Sequence, residues 1–124
     1  MRIETETLQK PAEEYLKRFG IKFEHKENNV SYKKRKGSRQ NFKGKLDLYI
    51  WLPNAIFIAV EFKIGNNDLT LEQKDEVEEF KTLGYPVYII RDDIKMFYYI
   101  IDSYLIAIKE TFKKVEIDFN QDFK

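Results

Sequence analysis

Leu46-Asp47-Leu48-Tyr49-Ile50-Trp51-Leu52, then Pro53-Asn54, then Ala55-Ile56-Phe57-Ile58-Ala59-Val60-Glu61-Phe62-Lys63 form two apolar runs about a turn. Its first part alternates. Leu46, Leu48, Ile50 and Leu52 share one face, and Asp47, Tyr49 and Trp51 share the other. Pro53-Asn54 supplies turn residues. In the second part Ile56, Ile58, Val60 and Phe62 share a face, while Phe57, Ala59, Glu61 and Lys63 occupy the opposite one. Both faces of 55–63 are largely apolar, so this strand is expected to be central and covered on both sides.

On the N-terminal side, Leu8, Ala12, Tyr15, Leu16 and Phe19 recur at spacings of three and four, which predicts a helix over 5–19 with Gly20 as its stop. Pro11 fits if it lies in the first turn with Thr7 as the cap. Residues 21–25 and 30–32 alternate weakly, as a hairpin across Glu27-Asn28-Asn29 would. On the C-terminal side, Thr70 and Gln73 form a capping-box pattern. A helix is expected over 70–83, with Val77, Phe80 and Leu83 inward and Gly84 and Pro86 ending it. Val87 to Arg91 reads as a short strand. A last helix capped by Asp92 or Asp93 runs to about Phe112, with Ile94, Phe97, Ile101, Leu105, Ile108 and Phe112 inward. Beyond it, Val115, Ile117 and Phe119 alternate, as in a strand or a frayed end.

This order predicts a single domain over 1–124: an α/β fold with a central mixed β-sheet flanked by helices, as an α-β-β-β-α-β core plus a C-terminal helix. The chain has 124 residues, 43% hydrophobic and 35% charged, enough for one core that buries roughly two-thirds of the unfolded surface. No apolar run nears the ~18 residues of a membrane span, and the acidic, polar start is unlike a secretory signal. A cytoplasmic home and no membrane partner are expected.

There are no cysteines and a single histidine, His25. That removes disulfides, cysteine nucleophiles, thiolate zinc and multi-histidine metal sites. Any metal must then be held by oxygen, which points to Mg²⁺, Mn²⁺ or Ca²⁺.

The net charge is only +1, but it is unevenly placed. Residues 33–45 read KKRKGSRQNFKGK, without an acid, and residues 68–79 read DLTLEQKDEVEE. The basic run has turn residues and no apolar periodicity. It serves either as a solvated loop, mobile until an anion orders it, or as a phosphate-binding footprint.

Asp47, Glu61 and Lys63 interrupt otherwise apolar strands. Glu61 and Lys63 are two apart and share a face. Asp47 and Glu61 are equidistant from position 54, so a hairpin turning there makes them cross-strand neighbours about 5 Å apart at Cβ. Two carboxylates that close repel unless a cation lies between them. A divalent ion there, with Lys63 beside it, suits phosphodiester hydrolysis. Glu-x-Lys alone is common, and the other reading is a salt bridge on a solvated strand end.

The segment Gly44-Lys45-Leu46-Asp47, Val60-Glu61-Phe62-Lys63, Leu69-Thr70-Leu71-Glu72-Gln73, Gly84 and Val87-Tyr88-Ile89-Ile90 resembles the PD-(D/E)xK nucleases, and among them the small VRR-NUC type. That pattern has Gly-x-Pro-Asp, then Glu-Val-Lys at a strand end, then a Ser/Thr-x-x-Gln helix start. Leu46 stands where the proline is usual. The resemblance implies a restriction-endonuclease-like fold and a Mg²⁺- or Mn²⁺-dependent DNA endonuclease. Asp47, Glu61 and the Phe62 carbonyl would ligate the metal, and Lys63 would position the attacking water. Glu6 would be the helix glutamate of the site, with Glu13 and Glu14 as weaker candidates. Gln73 would reach the site or the substrate. Relatives of this kind act on branched DNA such as four-way junctions, often as homodimers, in bacterial or phage-infected cells.

Lys33, Lys34, Arg35, Lys36, Arg39, Lys43 and Lys45 are the expected phosphate contacts. The aromatic residues Phe97, Tyr98, Tyr99 and Tyr104 suggest more apolar surface than one core absorbs, as at a dimer face. Tyr49 and Trp51 are expected to pack under a helix. The alternative function is a catalytically inactive nucleic-acid-binding or protein-interaction module of the same fold.

Overall fold

A computed structural model describes residues 4–26 and 44–122, from 112 onward as backbone only. The expected phosphate contacts Lys33, Lys34, Arg35, Lys36, Arg39 and Lys43, and the second hairpin arm 30–32, lie outside the described residues.

The chain is α/β, with a four-stranded mixed sheet flanked by helices. The N-terminal helix α1 is a π-helical turn, Thr5–Gln9, running into α-helix Lys10–Arg18. Then come β1 (Lys22–His25), β2 (Leu48–Leu52), β3 (Ile56–Lys63), α2 (Leu71–Leu83), β4 (Val87–Arg91) and α3 (Ile94–Asp122). The sheet order is β1-β2-β3-β4. The first two pairings are antiparallel, and β3–β4 is parallel with α2 as the crossover.

The sheet's two faces differ sharply. Leu48, Ile50, Ile58, Val60, Phe62 and Ile90 meet Leu8, Ala12 and Leu16 of α1 and Phe97 and Ile101 of α3 in a core at most 2% exposed. The other face carries Tyr49, Trp51 and Phe57, against which Phe80 of α2 packs with ring centroids 5.9 Å from Tyr49 and 6.0 Å from Phe57. Glu61, Lys63 and Gln73 are buried on this second face.

Several expectations are corrected. Thr7 does not cap α1, because the helix already includes Glu4 and a π turn places Thr7 inside it. The widened turn immediately precedes Pro11, which has no N–H to give to an α-helical ladder. The hairpin turn spans 53–55 rather than 53–54, with Asn54 and Ala55 both left-handed (φ 66° and 61°). Position 54 remains its centre, since Leu52 pairs Ile56.

On α2, Val77 and Phe80 are only half-buried and Leu83 is 64% exposed. The one buried residue of that helix is Gln73, so α2 is seated by polar contacts and one aromatic ring rather than by an apolar stripe. Asp93 caps α3 by accepting from the Lys95 N–H at 2.9 Å. That helix runs through 115–122 without a strand. Of the aromatics read as a dimer face, Phe97 is fully buried and Tyr98 and Tyr104 are half-buried. Only Tyr99 is open. Tyr104 exchanges a 2.6 Å hydrogen bond with Tyr88, and Tyr98 packs on Tyr15. The core absorbs that surface apart from Tyr99.

Candidate active site

The β2–β3 register of Leu48 with Val60, continued by one residue, sets Asp47 opposite Glu61. The ladder stops at Leu48 rather than at the expected Leu46 because side chains replace it. The Asp47 N–H donates to Glu61 Oε1 at 3.0 Å, and the Phe62 N–H donates to Asp47 Oδ2 at 2.8 Å. On β1's side, the Lys26 N–H donates to the Asp47 carbonyl at 3.2 Å.

Lys63 is drawn to the same point. Its Nζ lies 3.2 Å from Glu61 Oε2 and donates to Gln73 Oε1 at 3.4 Å. Gln73 Nε2 donates to Glu61 Oε2 at 3.0 Å. The capping box fixes that amide, since Gln73 Oε1 also accepts the Thr70 N–H and Thr70 Oγ1 accepts the Gln73 N–H. A main-chain N–H can only donate, so Gln73's oxygen faces Thr70 and its nitrogen faces Glu61. The helix cap thus orients a site residue.

Burial pushes the Glu61 carboxyl up to about 7, with the charge of Asp47 adding to the rise and Lys63 and Lys26 opposing it. Burial also raises Asp47. The Phe62 hydrogen bond and Lys26 act against that, and the charge of Glu4 reinforces it. Two desolvated carboxylates side by side form a locus of negative potential that favours a cation or a proton.

The donor set can be tested against a divalent ion. Among the described residues, no three Asp, Glu or His side chains gather closely enough to hold a metal between them. Two carboxylates are nevertheless sufficient for Mg²⁺, which keeps several waters and takes the rest of its shell from substrate phosphate. Asp47 Oδ2 accepts the Phe62 N–H, and a side-chain hydrogen bond links the Asp47 and Glu61 carboxyls. The backbone would supply a third oxygen. Ala59 N–H and the Lys63 carbonyl bond toward β4's side, whereas Phe62 N–H bonds toward Asp47. By strand alternation the Phe62 carbonyl faces the same way as its N–H, past the end of β2. These hard oxygen donors fit Mg²⁺ or Mn²⁺.

The expected residues therefore separate. Asp47, Glu61, Phe62, Lys63 and Gln73 converge. Glu6 does not: its side chain is 57% exposed and pairs with Lys10 at 2.8 Å. Glu13 lies 3.5 Å from His25, and Glu14 is exposed. The helix acid whose charge reaches Asp47 is Glu4. Its signal was its place four residues before Leu8, in line with Ala12 and Leu16. Lys45 is exposed, and its carbonyl accepts from Lys26 Nζ at 3.5 Å.

Lys26 is a further cation that spacing did not reveal, because β1 carries it to the site from a distant part of the chain. Gly44 also has a physical role: a Cβ there would lie 2.9 Å from the Glu72 carbonyl, so only glycine lets the chain entering β2 pass the first turn of α2. A cavity of about 920 Å³ flanks the site through Lys26, Lys45 and Tyr49 and extends over Trp51, Phe57 and Phe80.

No family model matches the chain, and no curated protein or solved structure matches it. Among the described residues, no helix is long and apolar enough to cross a membrane.

Proposed function

We propose that the protein is a Mg²⁺- or Mn²⁺-dependent DNA endonuclease of restriction-endonuclease-like fold, akin to the PD-(D/E)xK enzymes of VRR-NUC type. The observation that carries this reading is the meeting of Asp47 and Glu61 at the end of the β2–β3 ladder with the Lys63 amine 3.2 Å from Glu61. Asp47, Glu61 and the Phe62 carbonyl would hold the ion. When bound, it polarises the scissile phosphate and acidifies the attacking water.

The chain's own residues do the rest. Lys63 lies beside Glu61, where its ammonium orients the water and steadies charge developing on the phosphate. Gln73 holds Glu61 and Lys63 in register. The basic run, with Lys33, Lys34, Arg35, Lys36, Arg39, Lys43 and Lys45, supplies phosphate contacts that give affinity without base readout. In this reading the substrate is DNA, branched DNA such as a four-way junction included. The enzyme works as a homodimer in the cytoplasm of a bacterial or phage-infected cell.

A second reading has one observation in its favour: both Glu61 oxygens are already taken, by the Asp47 N–H and by Lys63 and Gln73. Such a closed network suits a catalytically inactive binding module. One assay decides. Purified protein with Mg²⁺ or Mn²⁺ should nick plasmid or cut junction DNA, and a chelator or Asp47→Asn should abolish cutting while DNA binding persists. Binding without metal-dependent cutting establishes the second reading.

A further inference from the structure

Leu46 and Asp47 lie outside the strand ladder, so something else must fix their backbone. Leu46 is completely buried, and an unpartnered N–H there would carry the full cost of desolvation. Its N–H donates to Tyr49 Oη at 3.0 Å. That oxygen accepts here, so its own proton is free to go elsewhere, and it donates to Glu76 Oε2 at 2.9 Å. The Tyr49 ring is clamped, stacked on Phe57 at 6.1 Å and 5° and packed against Phe80 at 5.9 Å. Glu76 lies three residues beyond Gln73 on α2, on the same side of the helix.

We propose that Tyr49 and Glu76 are positioning residues for Asp47, acting through the Leu46 N–H. In the pattern this segment resembles, a proline precedes the aspartate. Proline fixes φ by its ring and has no N–H to satisfy. Leu46 has neither property. A hydrogen bond to a clamped phenol, itself held by a carboxylate on α2, does the work of the ring. Helix α2 therefore holds the site at two points: Gln73 sets Glu61 and Lys63, and Glu76 sets Asp47 through Tyr49. That Asp47 binds a catalytic cation rests on the function proposed above; that Tyr49 and Glu76 place it does not.

The test is a set of variants read in two ways. Without metal, amide hydrogen exchange at Phe62 reports whether Asp47 Oδ2 still accepts its N–H. With Mn²⁺, titration calorimetry reports affinity and plasmid cleavage reports rate. Tyr49→Phe should expose the Phe62 amide to faster exchange, weaken Mn²⁺ about 10–100-fold, and lower kcat with KM for DNA unchanged. Leu46→Pro removes the N–H that needs placing, so Tyr49→Phe should cost nothing further in that background. Leu46→Pro also deletes buried side chain. If it fails to fold, Glu76→Leu should match Tyr49→Phe, while Glu76→Gln, which keeps an acceptor, should stay near wild type.

Wild-type exchange at Phe62 in Tyr49→Phe, or equal behaviour of Glu76→Leu and Glu76→Gln, overturns the proposal. If the wild type neither binds Mn²⁺ nor cuts, the nuclease reading fails, and Phe62 exchange still decides the positioning role.

Discussion

Asp47 and Glu61 are bound to each other's strands reciprocally: the Asp47 N–H donates to Glu61 Oε1 at 3.0 Å, and Asp47 Oδ2 accepts the N–H of Phe62, the residue after Glu61, at 2.8 Å. Each carboxylate thereby closes the ladder where main-chain pairing ends. A peptide N–H faces each carboxyl in that desolvated place. The chain's own hydrogen bonds hold the pair together, and the proposed catalysis needs preorganisation of this kind.

The role proposed for Lys63 is separable from that of the carboxylates. Lys63→Met keeps much of the side chain's volume and removes the ammonium that faces Glu61. Metal-dependent cleavage should fall about 10²–10³-fold, as when a single charge-stabilising donor is lost. Single-turnover rates at saturating metal will show it, and an unchanged rate would place the water-positioning group elsewhere.

The buried pair also fixes the sign of a pH effect on stability. Glu61 rises from an ordinary 4.5 to about 7 in the folded protein, chiefly through burial and then through Asp47. Between those values the folded state binds more protons than the unfolded state, so stability falls as pH rises. Without divalent metal, Tm should decline from pH 5 to pH 7.5, and Glu61→Gln should flatten that slope. Added Mg²⁺ at pH 7.5 should raise Tm of the wild type and not of the variant, since a ligand bound only by the native state stabilises it. Scanning calorimetry across pH measures both effects.

Helix α2 depends on its cap. Thr70→Ala removes the acceptor for the Gln73 N–H and should cost about 1 kcal/mol in urea unfolding. Because the same box orients Gln73, cleavage should drop as well, at temperatures where the variant is fully folded. A loss of stability with wild-type kcat would separate the cap from the site.

The two N-terminal acids should behave differently. Glu6→Gln breaks only an exposed pair with Lys10, and the pH–rate profile should not move. Glu4→Gln removes a charge that raises Asp47, so the acid limb of the profile should shift to lower pH. Profiles of kcat/KM report these free-enzyme groups.

Packing separates the two ends of the aromatic run on α3. Phe97 is fully buried, with its ring 6.0 Å from that of Phe62. Phe97→Ala should cost about 3–5 kcal/mol. Tyr99, 69% exposed, should change stability by less than about 0.5 kcal/mol when replaced by Ser. Chemical denaturation of the two variants checks the contrast.

How far the chain could be read before folding follows from these particulars. Strands β2 and β3 were legible because a two-residue alternation survives into the structure, and the symmetry of Asp47 and Glu61 about Asn54 needs only a hairpin. The capping box was legible because it is local. Glu4 was obscured by Pro11, which invited a helix start at Thr7 and hid the π turn that carries the helix further back. Lys26 and the Tyr49–Glu76 bond depend on β1 and α2 being folded against β2, contacts that no spacing along the chain encodes. The weak burial of Leu83 likewise reflects how little of α2 the sheet reaches. The aromatic residues of α3 read as surplus because their partners, Tyr15, Phe62 and Tyr88, come from three other elements.

In the proposed function Asp47 and Glu61 share a divalent cation. Crystals soaked in Mn²⁺ and measured at an anomalous wavelength will show whether they do. One strong peak is expected within about 2.2 Å of an oxygen of each carboxylate and of the Phe62 carbonyl, absent from Asp47→Asn crystals. A peak that persists in Asp47→Asn, or a fully occupied ion held elsewhere with none at this pair, would contradict it.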